Sequence, residues 1–173
     1  LGLFVLSLLD DWRSLSVWPR LLGHLAAAGV VVAVAVGGWI LPVVWAVPLM
    51  LALVWMTNLY NFMDGADGLA GGMAVAGFGA YAVAAWATAP GLAGLCLVLA
   101  VGAASFLTFN FPPARVFMGD AGSIPLGFLA GALGLALALY DLQLEPDLGN
   151  ALLHAPSIGF ELGFALATAH ATA

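Results

Sequence analysis

Long apolar runs alternate with short polar clusters along this chain. From Leu21 to Met56 His24 is the only ionisable side chain. One helix needs about 20 apolar residues to cross a bilayer, so this run predicts two spans, with a turn near Gly37-Gly38 or Pro42. Leu69–Thr88 predicts a third span, stopped by Thr88-Ala89-Pro90-Gly91. Gly91–Phe109 predicts a fourth, stopped by Pro112-Pro113, and Ile124–Tyr140 a fifth. Leu1–Leu9 is too short to cross and lacks a basic flank, so it reads as the tail of one further helix in a chain truncated at its N-terminus. The fold class is therefore all-α, a polytopic membrane protein of about five transmembrane helices plus a partial N-terminal one.

The polar clusters interrupt this pattern. In "NLYNFMDGADGLAGG", Asn58, Asn61, Asp64 and Asp67 recur every three residues. On a helix each would neighbour the next with a drift of about 60°, which lets Asn61 sit beside Asp64 and Asp64 beside Asp67. Gly65 and Gly68 predict a bend instead of an unbroken helix. In "NFPPARVFMGDAGS", Asp120 lies between Gly119 and Gly122, and Ser123 opens the next helix, whose N–H groups suit an anion. Phe117, three residues before Asp120, reads either as a base-stacking ring or as an interfacial anchor.

If each run crosses once, Asp10–Arg20, Asn58–Asp67 and Asn110–Ser123 share one face. Those segments contain Arg13, Arg20 and Arg115, the chain's only basic side chains apart from histidine. The excess of cytoplasmic Arg and Lys in membrane proteins puts this face in the cytoplasm. It gathers Asp10, Asp11, Asn61, Asp64, Asp67, Asn110 and Asp120. Asp141, Glu145 and Asp147 fall to the distal face.

Composition narrows the function classes. Of 173 residues, 64% are hydrophobic and 7% charged, and the mean hydropathy is +1.12. Soluble domains carry about 25% charged residues, so a soluble domain is excluded. A net charge of −6 argues against nucleic acid, whose phosphates need clustered cations. Cys96 is the only cysteine, so it forms no disulfide within the chain and reads as a small packing residue. Several hard oxygen ligands suit Mg2+, with Mn2+ as the alternative, and Mg2+ commonly pairs one or two carboxylates with substrate phosphates. Asp10, Asp64 and Asn110 could instead each cap a helix.

"LLDDWRSLSVWPRLLGHLAAA", "NLYNFMDGADGLAGG" and "NFPPARVFMGDAGSIPLGF" together resemble the polyprenyl-phosphate N-acetylhexosamine-1-phosphate transferases, the glycosyltransferase-4-like group, over roughly 1–140. The resemblance implies transfer of a sugar-1-phosphate from a UDP-N-acetylhexosamine to polyprenyl (undecaprenyl) phosphate with release of UMP, for cell-envelope polysaccharide or peptidoglycan assembly. It implies a bacterial inner membrane and an active site on its cytoplasmic face. Asp120 and Asn61 look like the Mg2+ ligands. Asp10 and Asp11 match the paired acids that bind or deprotonate the lipid phosphate. Asp67 and Phe117 match positions that hold the uracil, Asp64 supports the nucleotide or sugar side, and Asn110 and Arg115 join the substrate-binding set. One direct attack on the β-phosphate is favoured, with a covalent aspartyl-phosphate route as the alternative.

The family also has earlier helices and a later histidine-rich loop, neither of which is found here. His154 and His170 are isolated and receive no role, and His24 reads as interfacial. A chain lacking that loop is expected to be weakly active or inactive alone. The segment 141–173 reads as a distal loop followed by a partial span, an interfacial helix or non-native sequence. A cation-conducting or transport protein using the Asp clusters is the alternative function. The sugar and the oligomeric state, a homodimer included, are left open.

Overall fold

The computed structural model describes residues 1–37 and 41–144. Six α-helices follow one another: α1 (Gly2–Arg13), α2 (Val17–Gly37), α3 (Ala46–Met63), α4 (Leu69–Ala85), α5 (Pro90–Asn110) and α6 (Gly119–Leu144). A short 3-10 turn, Val43–Trp45, leads into α3. No strand occurs among the described residues. Two compact units are distinguished, Leu1–Leu137 and Ala138–Ala173. The first holds everything discussed below. The described part of the second is the end of α6, and the segment expected to differ in character, with Glu145, Asp147, His154, Glu161 and His170, lies outside the described residues.

Four stretches, Val17–Val36, Val43–Met63, Pro90–Asn110 and Gly119–Tyr140, are long and apolar enough to cross a bilayer. The remaining expected span, the third, is α4, whose 17 residues stand at the lower limit of about 17–25. It closes at Ala85 in a turn through Trp86 instead of running to Thr88. Large side chains such as Val30, Val34, Val83 and Val98 lie exposed on the helices, as lipid-facing positions require. Ser and Thr hydroxyls turn back onto their own helices: Thr57 donates to Leu53 O, Ser105 to Val101 O and Thr108 to Ser105 O. That satisfies them without water.

Small residues set how closely the helices approach. α4 buries Ala70, Gly71, Ala74, Phe78, Ala82 and Ala85 along one side. It packs on the Ala93, Cys96, Ala100 and Ala103 face of α5. Cys96 is fully buried there as a packing residue. α6 meets α3 through Gly127 and Gly131, one turn apart. A Cβ at Gly127 would stand 2.7 Å from Met56 O and 2.8 Å from Tyr60 Cβ, and one at Gly131 2.9 Å from Leu53 Cδ2. The Met56 carbonyl belongs to a helix backbone and cannot step aside, so contact this close requires glycine.

Gly127→Val is expected to lower the thermal stability of the chain in lipid nanodiscs by about 1–3 kcal/mol through overpacking. Gly94→Ala, where an added Cβ meets nothing within 4 Å, should leave it unchanged or slightly raised. Equal melting of the two variants would refute a close α3–α6 contact.

Candidate active site at one end of the helices

The three polar segments predicted to share a face converge at one end of the first unit. α6 begins at Gly119, five residues before the span expected from Ile124, because other parts of the chain supply acceptors for its first N–H groups. Gly119 N–H donates to Asp64 Oδ2 at 2.9 Å. Asp120 N–H donates to Asp11 Oδ1 at 3.0 Å, and Ala121 N–H to Asp11 Oδ2 at 2.9 Å. Gly119 has φ +67°, and a Cβ there would stand 3.2 Å from Asp11 Oδ2. The helix start that the sequence offered to an anion thus receives two of the protein's own carboxylates. Their negative charge is favourable at this end of the helix dipole.

Between α3 and α4 the chain breaks as Gly65 and Gly68 predict: α3 ends at Met63, and Gly68 (φ +71°) precedes α4. Asn110, fully buried at the end of α5, accepts Gly68 N–H on Oδ1 and donates from Nδ2 to Val116 O, both at 2.9 Å. Asp67 Oδ2 accepts Ala114 N–H at 3.0 Å. These bonds pin the loop from Phe111 to Met118 onto the α3–α4 turn. Arg115 and Phe117 are exposed on that loop.

Asp10 is buried at the end of α1. Its Oδ1 accepts Leu15 N–H at 2.6 Å, and its Oδ2 pairs with Arg20 Nη1 at 3.0 Å. The same Arg20 nitrogen reaches Asp120 Oδ2 at 3.4 Å. Burial opposes the charge on Asp10, but hydrogen bonding from Asp120, Leu15 N–H and Arg20, with the Arg20 charge, outweighs it and holds the carboxyl below its ordinary value of 3.8. Arg20 was assigned no site role from sequence. The available signal was its position ten residues after Asp10 as one of three arginines among nine acids.

Asn61 lies beside α6 through Ser123. Ser123 Oγ is 2.9 Å from Asn61 Oδ1 and 2.8 Å from Gly119 O. A hydroxyl has one proton and donates to one of these at a time. Turning the Asn61 amide end for end gives each partner its bond and frees the amide oxygen as a ligand. Among the described residues, Asp64 Oδ1 is a buried oxygen without a hydrogen-bond partner.

No group of three or more His, Cys, Asp or Glu side chains forms a metal cage among the described residues. Asp120, Asn61 and Asp64 supply oxygens of the hard kind that Mg2+ takes, an ion that uses few protein carboxylates and completes its shell with water and phosphate. The long Arg20–Asp120 contact leaves Asp120 able to exchange partners.

Asp11→Ala is expected to cost about 1–2 kcal/mol of stability and to speed hydrogen exchange at the Asp120 and Ala121 amides. Asp11→Asn, with one accepting oxygen, should fall between. Unchanged exchange in both variants would contradict the capping role. With its lowered pKa, Asp10 stabilises the folded chain fully above its ordinary range and loses that contribution as pH falls through the depressed value. The melting-temperature gap between wild type and Asp10→Asn should therefore hold at neutral pH and close below about pH 4. A gap independent of pH would overturn the ionised Asp10–Arg20 pair.

Comparison with known proteins gives the family of the chain. The model of glycosyl transferase family 4 matches residues 1–138. A phospho-N-acetylmuramoyl-pentapeptide-transferase of Levilactobacillus brevis is 34% identical over 139 residues, covering 72% of this chain and 43% of that protein. The Moorella thermoacetica protein of the same name is 43% identical over 110 residues, 62% of this chain and 35% of its own length. A probable undecaprenyl-phosphate N-acetylglucosaminyl 1-phosphate transferase of Bacillus subtilis is 36% identical over 155 residues, 80% of this chain and 42% of that protein. The chain spans less than half the length of each of these relatives. With the family model matching the whole of the first unit, the chain belongs to glycosyl transferase family 4.

Proposed function

We propose that this chain carries part of the active site of a membrane phosphotransferase, one that moves an N-acetylhexosamine-1-phosphate from a UDP-sugar to polyprenyl phosphate. The observation that supports this most is the convergence of Asp10, Asp11, Asp64, Asp67 and Asp120, from three separated segments, at one end of the apolar helices. A lipid phosphate resides at that level of a bilayer. The three arginines on this face support a cytoplasmic side for it, where UDP-sugars are found. A cation path would call for acids near mid-span, and these stand at helix ends.

In the proposed reaction a lipid-phosphate oxygen attacks the β-phosphorus of the UDP-sugar. A P–O bond forms there, the bond to the bridging oxygen breaks, and UMP leaves with that oxygen. Asp10, ionised and steadied by Arg20, is placed to orient the lipid phosphate or accept its proton. Asp11 and Asp64 fix the start of α6 and so the position of Asp120. Asp67 and the exposed ring of Phe117 flank the loop where uracil would bind. Mg2+ at Asp120 and Asn61 would neutralise the diphosphate that these carboxylates otherwise repel.

Membranes containing the full-length protein are expected to release UMP from one member of a UDP-N-acetylhexosamine panel, only with polyprenyl phosphate and Mg2+ or Mn2+ present. Asp120→Asn should lower the rate about 100-fold or more. Absence of Mg2+-dependent UMP with every donor would end the transferase reading.

A further inference from the structure

A small polar pocket lies beside the carboxylates, and two of its polar lining residues, His24 and Asn58, take no part in the scheme above. It measures about 160 Å³ and is lined by Val17, Arg20, Leu21, His24, Asn58, Asn61 and Ile124. His24 is only 4% exposed, although it lies on a helix facing an apolar environment. Its Nδ1 is 3.3 Å from Asn58 Nδ2, and that same Nδ2 donates to Val54 O at 2.7 Å.

The second contact fixes the first. Only the NH2 end of an amide can face a carbonyl oxygen, so Asn58 presents its N–H2 to both partners. An Asn58 N–H directed at His24 Nδ1 requires that nitrogen to be bare. The neutral ring therefore carries its proton on Nε2. Nε2–H has no hydrogen-bond partner among the described residues, in a pocket that the ring itself lines. Among the described residues the fully buried side-chain atoms left without a partner are Trp45 Nε1 and Asp64 Oδ1, so the His24 Nε2–H is open to the pocket and can meet an acceptor there. The pocket also holds the Arg20 guanidinium, and its remaining polar lining is amide. A cation and an oriented N–H donor together make a receptor for an oxyanion. His24 lies seven residues along α2 from Val17, about 10 Å below its start, within reach of a group entering from the polar end.

We propose that His24 is an oxyanion-binding residue. Asn58 holds its imidazole in the Nε2–H form, and that N–H, with Arg20, receives a phosphate oxygen of a substrate. The reading rests on the phosphotransferase proposal for its choice of ligand. The phosphate belongs either to the lipid headgroup or to the nucleotide-sugar diphosphate, and the two arms of the test separate them.

The experiment is nitrogen NMR on the whole chain, labelled at histidine, in nanodiscs, with the His24 signal identified by its loss in His24→Gln. Wild type should show the neutral Nε2–H form, and Asn58→Asp, whose carboxylate accepts instead of donating, should move the proton to Nδ1. A polyprenyl monophosphate in the bilayer is one probe, and inorganic pyrophosphate in solution is the other. A shift of the Nε2 signal with the first assigns the lipid phosphate, and a shift with the second assigns the diphosphate. No shift with either overturns the proposal. His24→Leu should weaken binding of the active probe about tenfold or more, and His24→Gln, which keeps an N–H near the Nε2 position, should restore most of it. Equal loss in both variants at unchanged melting temperature also overturns it. Phosphate binding that needs His24 in a full-length protein without UMP release would keep this site and sink the transferase reading. UMP release indifferent to His24→Leu would do the reverse.

Discussion

Three consecutive N–H groups at the start of α6 are bound by two carboxylates from distant parts of the chain, and the polar end is built around that contact. Asp11 comes from the end of α1, Asp64 from the end of α3. A helix start near a bilayer surface needs acceptors for its first donors, and here no neighbouring side chain in the loop before α6 supplies them. Three helix ends are thereby tied to one point. Gly119, with its left-handed φ and its close approach to Asp11, permits the loop to deliver the helix at that point. Asp120 follows immediately, so its carboxylate is placed by the same bonds that begin the helix.

The second set of ties works at the loop. Asn110 joins the start of α4 to Val116, and Asp67 holds Ala114. Together they present Arg115 and Phe117 on an ordered support. The packing below is of a different kind. Beneath the Asn61–Ser123 contact, glycine and alanine bring α4 to α5 and α3 to α6. Polar bonds therefore specify the site, and close apolar contact supports it from beneath.

Much of this was legible in the sequence because the bilayer imposes a strong period. Runs of about 20 apolar residues have few alternatives to spanning helices, and their number puts the three polar segments at one end. The glycine breaks at Gly65 and Gly68 were legible for the same reason. What escaped depended on contacts between residues far apart in the chain. The early start of α6 follows from Asp11, more than a hundred residues away, and local propensity around Gly119 does not encode it. Arg20 was counted for topology, yet its meaning comes from Asp10 and Asp120 together. His24 read as interfacial because a single sequence does not reveal Asn58 beside it.

The charge balance of this end makes a further argument. Asp10, Asp11, Asp64, Asp67 and Asp120 gather where Arg20 is the only cation ion-paired among the described residues. The N-terminus of α6 offsets part of the excess at Asp11 and Asp64 through its dipole. Asp10 has the shorter contact with Arg20, and Asp120 is left with the longer one, so the incompletely compensated carboxylate is the one that begins α6. Asp64 Oδ1, buried and unbonded, adds a second unmet demand for a positive partner. The two anionic substrates of the proposed transfer could not approach such a surface unaided, because like charges in a medium of lowered dielectric repel strongly. A divalent cation would resolve both problems at once by satisfying those oxygens and reversing the sign of the surface that the phosphates meet.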